Sequence, residues 1–211
     1  KIDSNGNKQW DRSYGGAGSD YLNSVQPTVD GGYLLGGYSD YSVNGPKTAA
    51  NRGQRDYWLV KIDANGNQQW DRTYGGSAID DLYVIRTASD GGFLLGGESL
   101  SGVGGNKTSA NFGSWDFWIV KIDQDGNKEW DRGYGGSAQD DLYGMQSTLD
   151  GGYLLAGRTL SGISGNKTTD ILAGDDGWVI KIDGQGNKES EYTFGGNLTD
   201  HFQSVLPMPE G

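Results

Sequence analysis

Hydrophobic positions along this chain fall in short clusters, and no segment carries the 3.6-residue period of an amphipathic helix. One stretch shows the layout. Leu82-Tyr83-Val84-Ile85-Arg86-Thr87 is rich in β-branched and aromatic side chains and predicts a strand. Asp90-Gly91-Gly92 predicts a tight turn. Phe93-Leu94-Leu95, bounded by Gly96-Gly97, is a continuous apolar run of the kind a strand buried on both faces requires. Residues 99–114 are polar and rich in Ser, Gly and Asn. Residues 117–122 predict a third strand, Asp123-Gln124-Asp125-Gly126-Asn127 a hairpin turn, and residues 128–134 a fourth strand ended by Gly135-Gly136.

The same order of clusters recurs. Lys1-Ile2-Asp3 returns at Lys61, Lys121 and Lys181, and Trp10-Asp11-Arg12 returns at Trp70 and Trp130. Asp30-Gly31-Gly32 returns at Asp90 and Asp150. The spacing is 60 residues each time, giving units 1–60, 61–120, 121–180 and a partial 181–211. Four short antiparallel strands per unit predict an all-β fold, a β-propeller of four-stranded blades, with about three and a half blades in the chain. A blade cannot bury both faces alone, so neighbours must cover it. A β-solenoid would use shorter coils without a hairpin between every strand. Lys1 falls within a third strand, and Pro209-Glu210-Gly211 aligns with the Val29-Asp30-Gly31 turn. Further repeats of a parent chain, or a second copy, are therefore expected to complete the ring.

Composition narrows the partners. A net charge of −11 opposes binding to phosphate backbones or anionic lipid. With no cysteine there are no disulfides, thiolate zinc sites or cysteine nucleophiles. No run of 18 apolar residues is present, so no transmembrane helix is expected.

At residue level, the pattern Val-Lys-Ile-Asp-x-Asn-Gly-Asn-x-x-Trp-Asp-x-x-Tyr-Gly-Gly, followed by Asp-Gly-Gly-Tyr-Leu-Leu-Gly-Gly, resembles blade repeats of large secreted bacterial proteins. Such repeats are common in Bacteroidota surface proteins that carry a type IX secretion sorting domain. The resemblance covers essentially the whole chain and implies a propeller with a secreted or cell-surface location, without supplying an activity. The last unit departs from it, with Ser190-Glu191-Tyr192 in place of Trp-Asp-Arg.

Repetition also filters the chemistry. Residues present in every unit build the blade, whereas a single site needs groups that occur once. Trp58, Trp118 and Trp178, like Trp10, Trp70 and Trp130, are therefore read as packing residues. The Asp123 turn has part of a calcium loop's oxygen pattern but lacks the distal Glu, so no cofactor is expected and structural calcium is the alternative. Asp80-Asp81 and Asp140-Asp141 offer carboxylate pairs for glycoside hydrolysis. Asp20 and Asp200 stand at the aligned position, so hydrogen bonding to turn amides is the expected role. His201 is the only histidine, and no nucleophile elbow, P-loop or dinucleotide fingerprint occurs. Asn106-Lys107-Thr108, Asn166-Lys167-Thr168 and Asn197-Leu198-Thr199 match the glycosylation sequon but are read as polar loop residues.

The units diverge most in the long loops, where Arg55, Phe112, Trp115 and Asp175 are the candidate ligand-binding residues. Both tight turns should share one end of the blades and the long loops the other. The expected function is a non-catalytic extracellular scaffold or adhesion module that binds protein partners. The alternatives are a lectin-like carbohydrate binder and a non-catalytic part of a secreted polysaccharide-acting enzyme.

Overall fold

Short Asp- and Gly-centred turns cut the chain into strands. In the turn after the third strand of each sheet, the Asp63 carboxylate accepts the backbone N–H groups of Asn65 (2.8 Å) and Asn67 (2.9 Å) and the Asn67 amide (2.9 Å). Gly66 takes the positive φ of 80° that closes this turn. The same bonds recur at Asp3, Asp123 and Asp183. A computed structural model describes residues 1–40, 43 and 45–208; the proposed alignment of residues 209–211 lies outside them.

Twelve strands form three antiparallel sheets. The first comprises β1 (Asp20–Pro27), β2 (Tyr33–Ser39), β3 (Asp56–Ile62) and β4 (Gln68–Tyr74). The second comprises β5 (Asp80–Thr87), β6 (Phe93–Ser99), β7 (Asp116–Ile122) and β8 (Lys128–Tyr134). The third comprises β9 (Asp140–Ser147), β10 (Tyr153–Thr159), β11 (Asp176–Ile182) and β12 (Lys188–Phe194). Strands within a sheet pair in chain order, so tight turns lie at one end and long loops at the other. Among the described residues there is no helix, and no sheet closes on itself.

The sheets pack face to face, which explains the continuous apolar runs. From β3, Tyr57 and Leu59 join a core with Leu82, Ile85, Trp118 and Val120 of the second sheet. Trp58, Val60 and Ile62 point the other way, toward Trp10 and Tyr14. In the next seam, Phe117 and Ile119 meet Leu142, Met145, Trp178 and Ile180. Trp118 stacks on Tyr57 at 4.6 Å and Trp178 on Phe117 at 5.0 Å, the inter-sheet packing expected of these tryptophans.

One boundary differs from the sequence reading. Gly96-Gly97 lie inside β6 instead of ending it. A bulge between Leu82 and Val84 brings the Asp81 carbonyl to 1.9 Å from where a Gly97 Cβ would stand. Leu142 of the third sheet fills the space above Gly96 at 2.8 Å. The glycines are there for close approach, not for a turn.

Segments outside the three sheets flank the array. Residues 1–14 run along the first sheet, where Trp10 Nε1 donates to Ala64 O (3.1 Å) and Tyr14 Oη to Gly66 O (2.7 Å). Tyr74 and Tyr134 make the same bond to Gly126 and Gly186, both at 2.6 Å. At the other side, Asp200 N donates to Asp175 O (2.8 Å), as Asp80 does to Arg55 and Asp140 to Trp115.

Candidate functional site

Most of the polar groups that recur are occupied in holding the sheets together. Asp131 accepts Trp118 Nε1 (3.0 Å), the N–H groups of Thr108 (3.0 Å) and Ser109 (2.9 Å), the Thr108 hydroxyl, and Lys128 (2.5 Å). Burial would raise this carboxyl, yet those donors hold it well below the usual range. In the third sheet Glu191 takes over, reaching Trp178 Nε1 at 3.0 Å and Thr168 N at 2.7 Å. The departure at Ser190-Glu191-Tyr192 therefore keeps this knot. Lys121 joins the Asp90 turn (2.7 Å) to Glu129 (2.9 Å). Asn106, in the sequon, accepts Gly75 N at 2.8 Å and donates to Thr73 O at 3.0 Å, tying its loop to the preceding sheet.

Asp80 belongs with this set. It accepts Gly76 N (2.8 Å), Ser101 Oγ (2.8 Å) and Ser99 Oγ, and Asp140 does the same with Gly136, Ser161 and Thr159. These are the turn-amide bonds expected of a repeating acid.

Its neighbour Asp81 does something else. At the loop end of each sheet, one cross-strand pair joins the first and second strands: Tyr21 opposite Tyr38, Asp81 opposite Glu98, and Asp141 opposite Arg158. The position is fixed by the fold, while its chemistry changes from copy to copy. Arg55 reaches across from the first sheet and holds Asp81 through Nε (2.6 Å) and Nη2 (2.5 Å), with its guanidinium 4.7 Å over the Tyr38 ring. Tyr21 and Tyr38 stack at 4.6 Å, and Tyr83 meets Tyr38 edge-on at 6.5 Å.

Tyr83 donates to Glu98 at 2.7 Å, and Glu98 lies within hydrogen-bonding reach of Asp141 in the third sheet. Asp141 also accepts Arg158 Nε (2.6 Å) and the Gln139 amide (3.0 Å). Arg158 extends the chain to Asp175 at 3.0 Å. Burial pushes Glu98 up to about 8; the Tyr83 hydroxyl opposes this and the Asp141 carboxylate adds to it. The raised value keeps Glu98 neutral near neutral pH, so two acids can share the buried seam. Asp81 is likewise raised by burial, with Arg55 pulling it back. Acidic residues directly opposite across strands destabilise a sheet, which singles this arrangement out from the packing around it.

The four residues chosen from sequence separate. Arg55 and Asp175 join the cluster, one at each end. Trp115 occupies their aligned position in the second sheet, with a half-buried side chain and its carbonyl bonded to Asp140 N at 2.7 Å. Phe112 lies elsewhere, against Gly165 of the next loop, where an added Cβ would come within 2.7 Å. His201 is exposed and meets the Tyr143 ring edge-on at 6.0 Å. Both oxygens of Asp123, the calcium candidate, face donors of their own turn. Among the described residues no group of three or more His, Asp or Glu is placed to hold a metal ion.

Glu98 and Arg158 escaped the sequence reading, and Asp81 and Asp141 entered it only within the Asp-Asp pairs read as structural. Treating Asp80-Asp81 as one unit hid the difference between them. The signal was present in the aligned columns: Tyr21, Asp81, Asp141 and His201 in one, and Tyr38, Glu98 and Arg158 in the other. These columns change charge among otherwise near-identical copies.

No protein-family model matches this chain. A 72-residue stretch is 31% identical to "Regulatory protein FlaEY" of Caulobacter vibrioides. The match takes in 34% of this chain and 8% of that protein. It assigns neither a family nor an activity.

Proposed function

We propose that the chain is part of a non-catalytic β-propeller module of a secreted or cell-surface protein, holding its partner at the loop end of the first two strands of each sheet. One observation carries this reading: the side chains that break the repeat converge. Arg55 with Asp81, Glu98 with Tyr83, and Asp141 with Arg158 and Asp175 form a row of polar groups along the loop end, where recurring residues would suffice for a purely structural array. The three sheets with matching seams support the propeller reading. The acidic charge suits a partner other than nucleic acid.

A carbohydrate ligand is the second reading. Its support is the run of Tyr21, Tyr38 and Tyr83 rings beside a carboxylate and a guanidinium, which together offer stacking faces and paired hydrogen bonds.

Immobilised chain probed against a glycan array and against extracted cell-surface proteins tests both. Arg158→Ala and Glu98→Gln should each weaken binding at least tenfold, and Asp125→Ala at the turn end should leave it unchanged. Loss of binding in Asp125→Ala with retention in the two loop-end variants would reverse the assignment. Polysaccharide cleavage abolished by Asp81→Asn would replace it with an enzyme.

A further inference from the structure

Beside the fourth strand of the first sheet, apart from the row on the first two strands, a cleft of about 520 Å³ opens against the second sheet. Arg52, Arg72, Thr73, Asn106, Asn127 and Lys128 line it. The long loop of the first sheet forms one wall. Thr73 Oγ1 donates to Ala50 O (2.6 Å) and Gln68 Nε2 to Pro46 O (3.1 Å), which ties residues 46–50 along β4 and fixes that wall before a ligand arrives. On the other wall Lys128 donates to Asn106 O (2.5 Å) and to Asp131 (2.5 Å), so its charge is already balanced. Asp71 is buried and accepts Thr48 N (3.0 Å), Ala49 N (2.8 Å) and Trp58 Nε1 (3.0 Å), which takes up its charge within the sheet.

What remains in the cleft is positive. Arg52 is exposed, and among the described residues its guanidinium makes no hydrogen bond or ion pair. Its stem lies against the Gly105 turn, with Cδ 3.0 Å from where a Gly105 Cβ would stand. Arg72 is exposed as well. Its Nη1 donates to Asp71 O at 3.0 Å, and its guanidinium lies 5.3 Å from the centre of the Trp70 ring. Arg55 and Arg158, by contrast, each hold a carboxylate. Two guanidinium groups without one therefore share a cleft in a chain of 28 acidic and 17 basic residues. The second seam shows that the fold does not require this. There Arg132, Asn166, Asn187 and Lys188 repeat Arg72, Asn106, Asn127 and Lys128, but Phe112 stands in place of Arg52. Phe112 packs on Gly165, the counterpart of Gly105, so an apolar ring satisfies the same backbone. Packing leaves the Arg52 guanidinium free for a group outside the chain.

We infer that this cleft binds a short saccharide bearing a carboxylate, with Arg52 and Arg72 on the carboxylate oxygens. A guanidinium fork matches a planar carboxylate through two parallel N–H···O bonds, which a lysine cannot reproduce. The volume falls within the range of small-molecule sites and suits about one or two sugar rings. The lining is mainly polar, which favours a hydroxyl-rich ligand over an apolar one. A long polyanion would set further charges against a chain of net charge −11, so the ligand is a short one. This assignment stands independently of the loop-end row.

Isothermal titration calorimetry with the galacturonate dimer tests this. The chain should bind it, and Arg52→Phe should weaken binding at least tenfold. The second sheet folds with Phe112 at the aligned position, so the fold should tolerate this change; circular dichroism verifies it, with Arg52→Ala as the second choice. Arg132→Ala should leave the affinity unchanged, because Phe112 denies that arginine a second guanidinium. The uncharged galactose dimer should bind at least tenfold more weakly than the galacturonate dimer. Absence of galacturonate-dimer binding overturns the inference, as does equal affinity for the uncharged dimer or an undiminished affinity in Arg52→Phe. An equal loss in Arg132→Ala also overturns it, since the attraction would then belong to the surface at large. Glutarate binding as tightly as the galacturonate dimer would reassign the cleft to free organic acids, and tighter binding of an oligoglutamate peptide would reassign it to an acidic protein segment. Either result overturns the saccharide assignment.

Discussion

The turn end and the loop end of the sheets are built by opposite rules. At the turn end each copy repeats one solution: Lys61, Lys121 and Lys181 hold Asp30, Asp90 and Asp150 at 2.7–2.9 Å. At the loop end the same backbone position carries two tyrosines, then two acids, then an acid and an arginine. The backbone needs the first kind of position to stay constant. It tolerates the second because each copy supplies its own partner: Arg55 of the neighbouring sheet for Asp81, Tyr83 of the adjacent strand for Glu98, and Arg158 for Asp141. Constancy therefore marks what holds the array together, and variation at a buried position marks what distinguishes one copy from the next.

The largest effect should come from the recurring core. Trp118 is fully buried, stacks on Tyr57 and donates to Asp131. Trp118→Ala should cost about 3–5 kcal/mol, read as a lower denaturant midpoint. It empties a seam and also removes one of the donors to the buried Asp131 carboxylate. A cost below about 1 kcal/mol would mean that the seams do not carry the fold.

Next comes the neighbouring pair in which the two rules meet within one dipeptide. Asp80→Asn replaces one of the two oxygens that accept Gly76 N–H and the Ser99 and Ser101 hydroxyls with a donor, and should destabilise by about 1–3 kcal/mol. Asp81→Asn keeps the shape beside Arg55 and should lower ligand binding more than it lowers stability. If thermal melts and binding assays rank the two variants the other way round, the division between structural and site residues fails.

The pH dependence sharpens the contrast further. Glu98 titrates at about 8 in the folded chain, above its ordinary 4.5, so the native state binds the extra proton between those values. Stability from this group is fully present below pH 4.5, declines as pH rises, and is gone above about pH 8. Asp116, raised by burial to about 7, acts in the same direction. Acidification from pH 8 to pH 5 should therefore raise the thermal midpoint, and Glu98→Gln should flatten part of that slope. Recurring carboxyls with lowered values, such as Asp131, lose their contribution only as pH falls through those values, well below this window. A slope unchanged in Glu98→Gln would show that the proton resides elsewhere.

Period and turn chemistry made most of the architecture readable. Asp-Gly-Gly and Asp-x-Asn-Gly-Asn act locally, since each carboxylate satisfies its own turn, and so the strands between them could be placed from sequence. Gly96-Gly97 misled because the cause is distant: the Asp81 carbonyl and Leu142, brought in from other strands, demand glycine there. The site was legible only in part for the same reason. Arg55 and Asp175 lie in visibly divergent loops, but Glu98 sits inside a strand buried along its whole length. Its partners Tyr83 and Asp141 are 15 and 43 positions away.

Trp115 gives the smallest expected change in stability and the finest test of the loop end. It stands at the position of Arg55 and Asp175, the two residues at the ends of the polar row. Its carbonyl, not its ring, makes the bond to Asp140 N, and alanine preserves that bond. Trp115→Ala should therefore cost no more than about 1 kcal/mol in a denaturant titration. If the half-buried indole faces the partner, binding should fall as far as in Arg158→Ala, with the fold intact. If the ring instead serves the seam as Trp118 does, stability should fall by several times that amount and binding only in proportion to unfolding. The two measurements on one variant decide whether the aromatic member of this column belongs to the partner surface or to the packing beneath it.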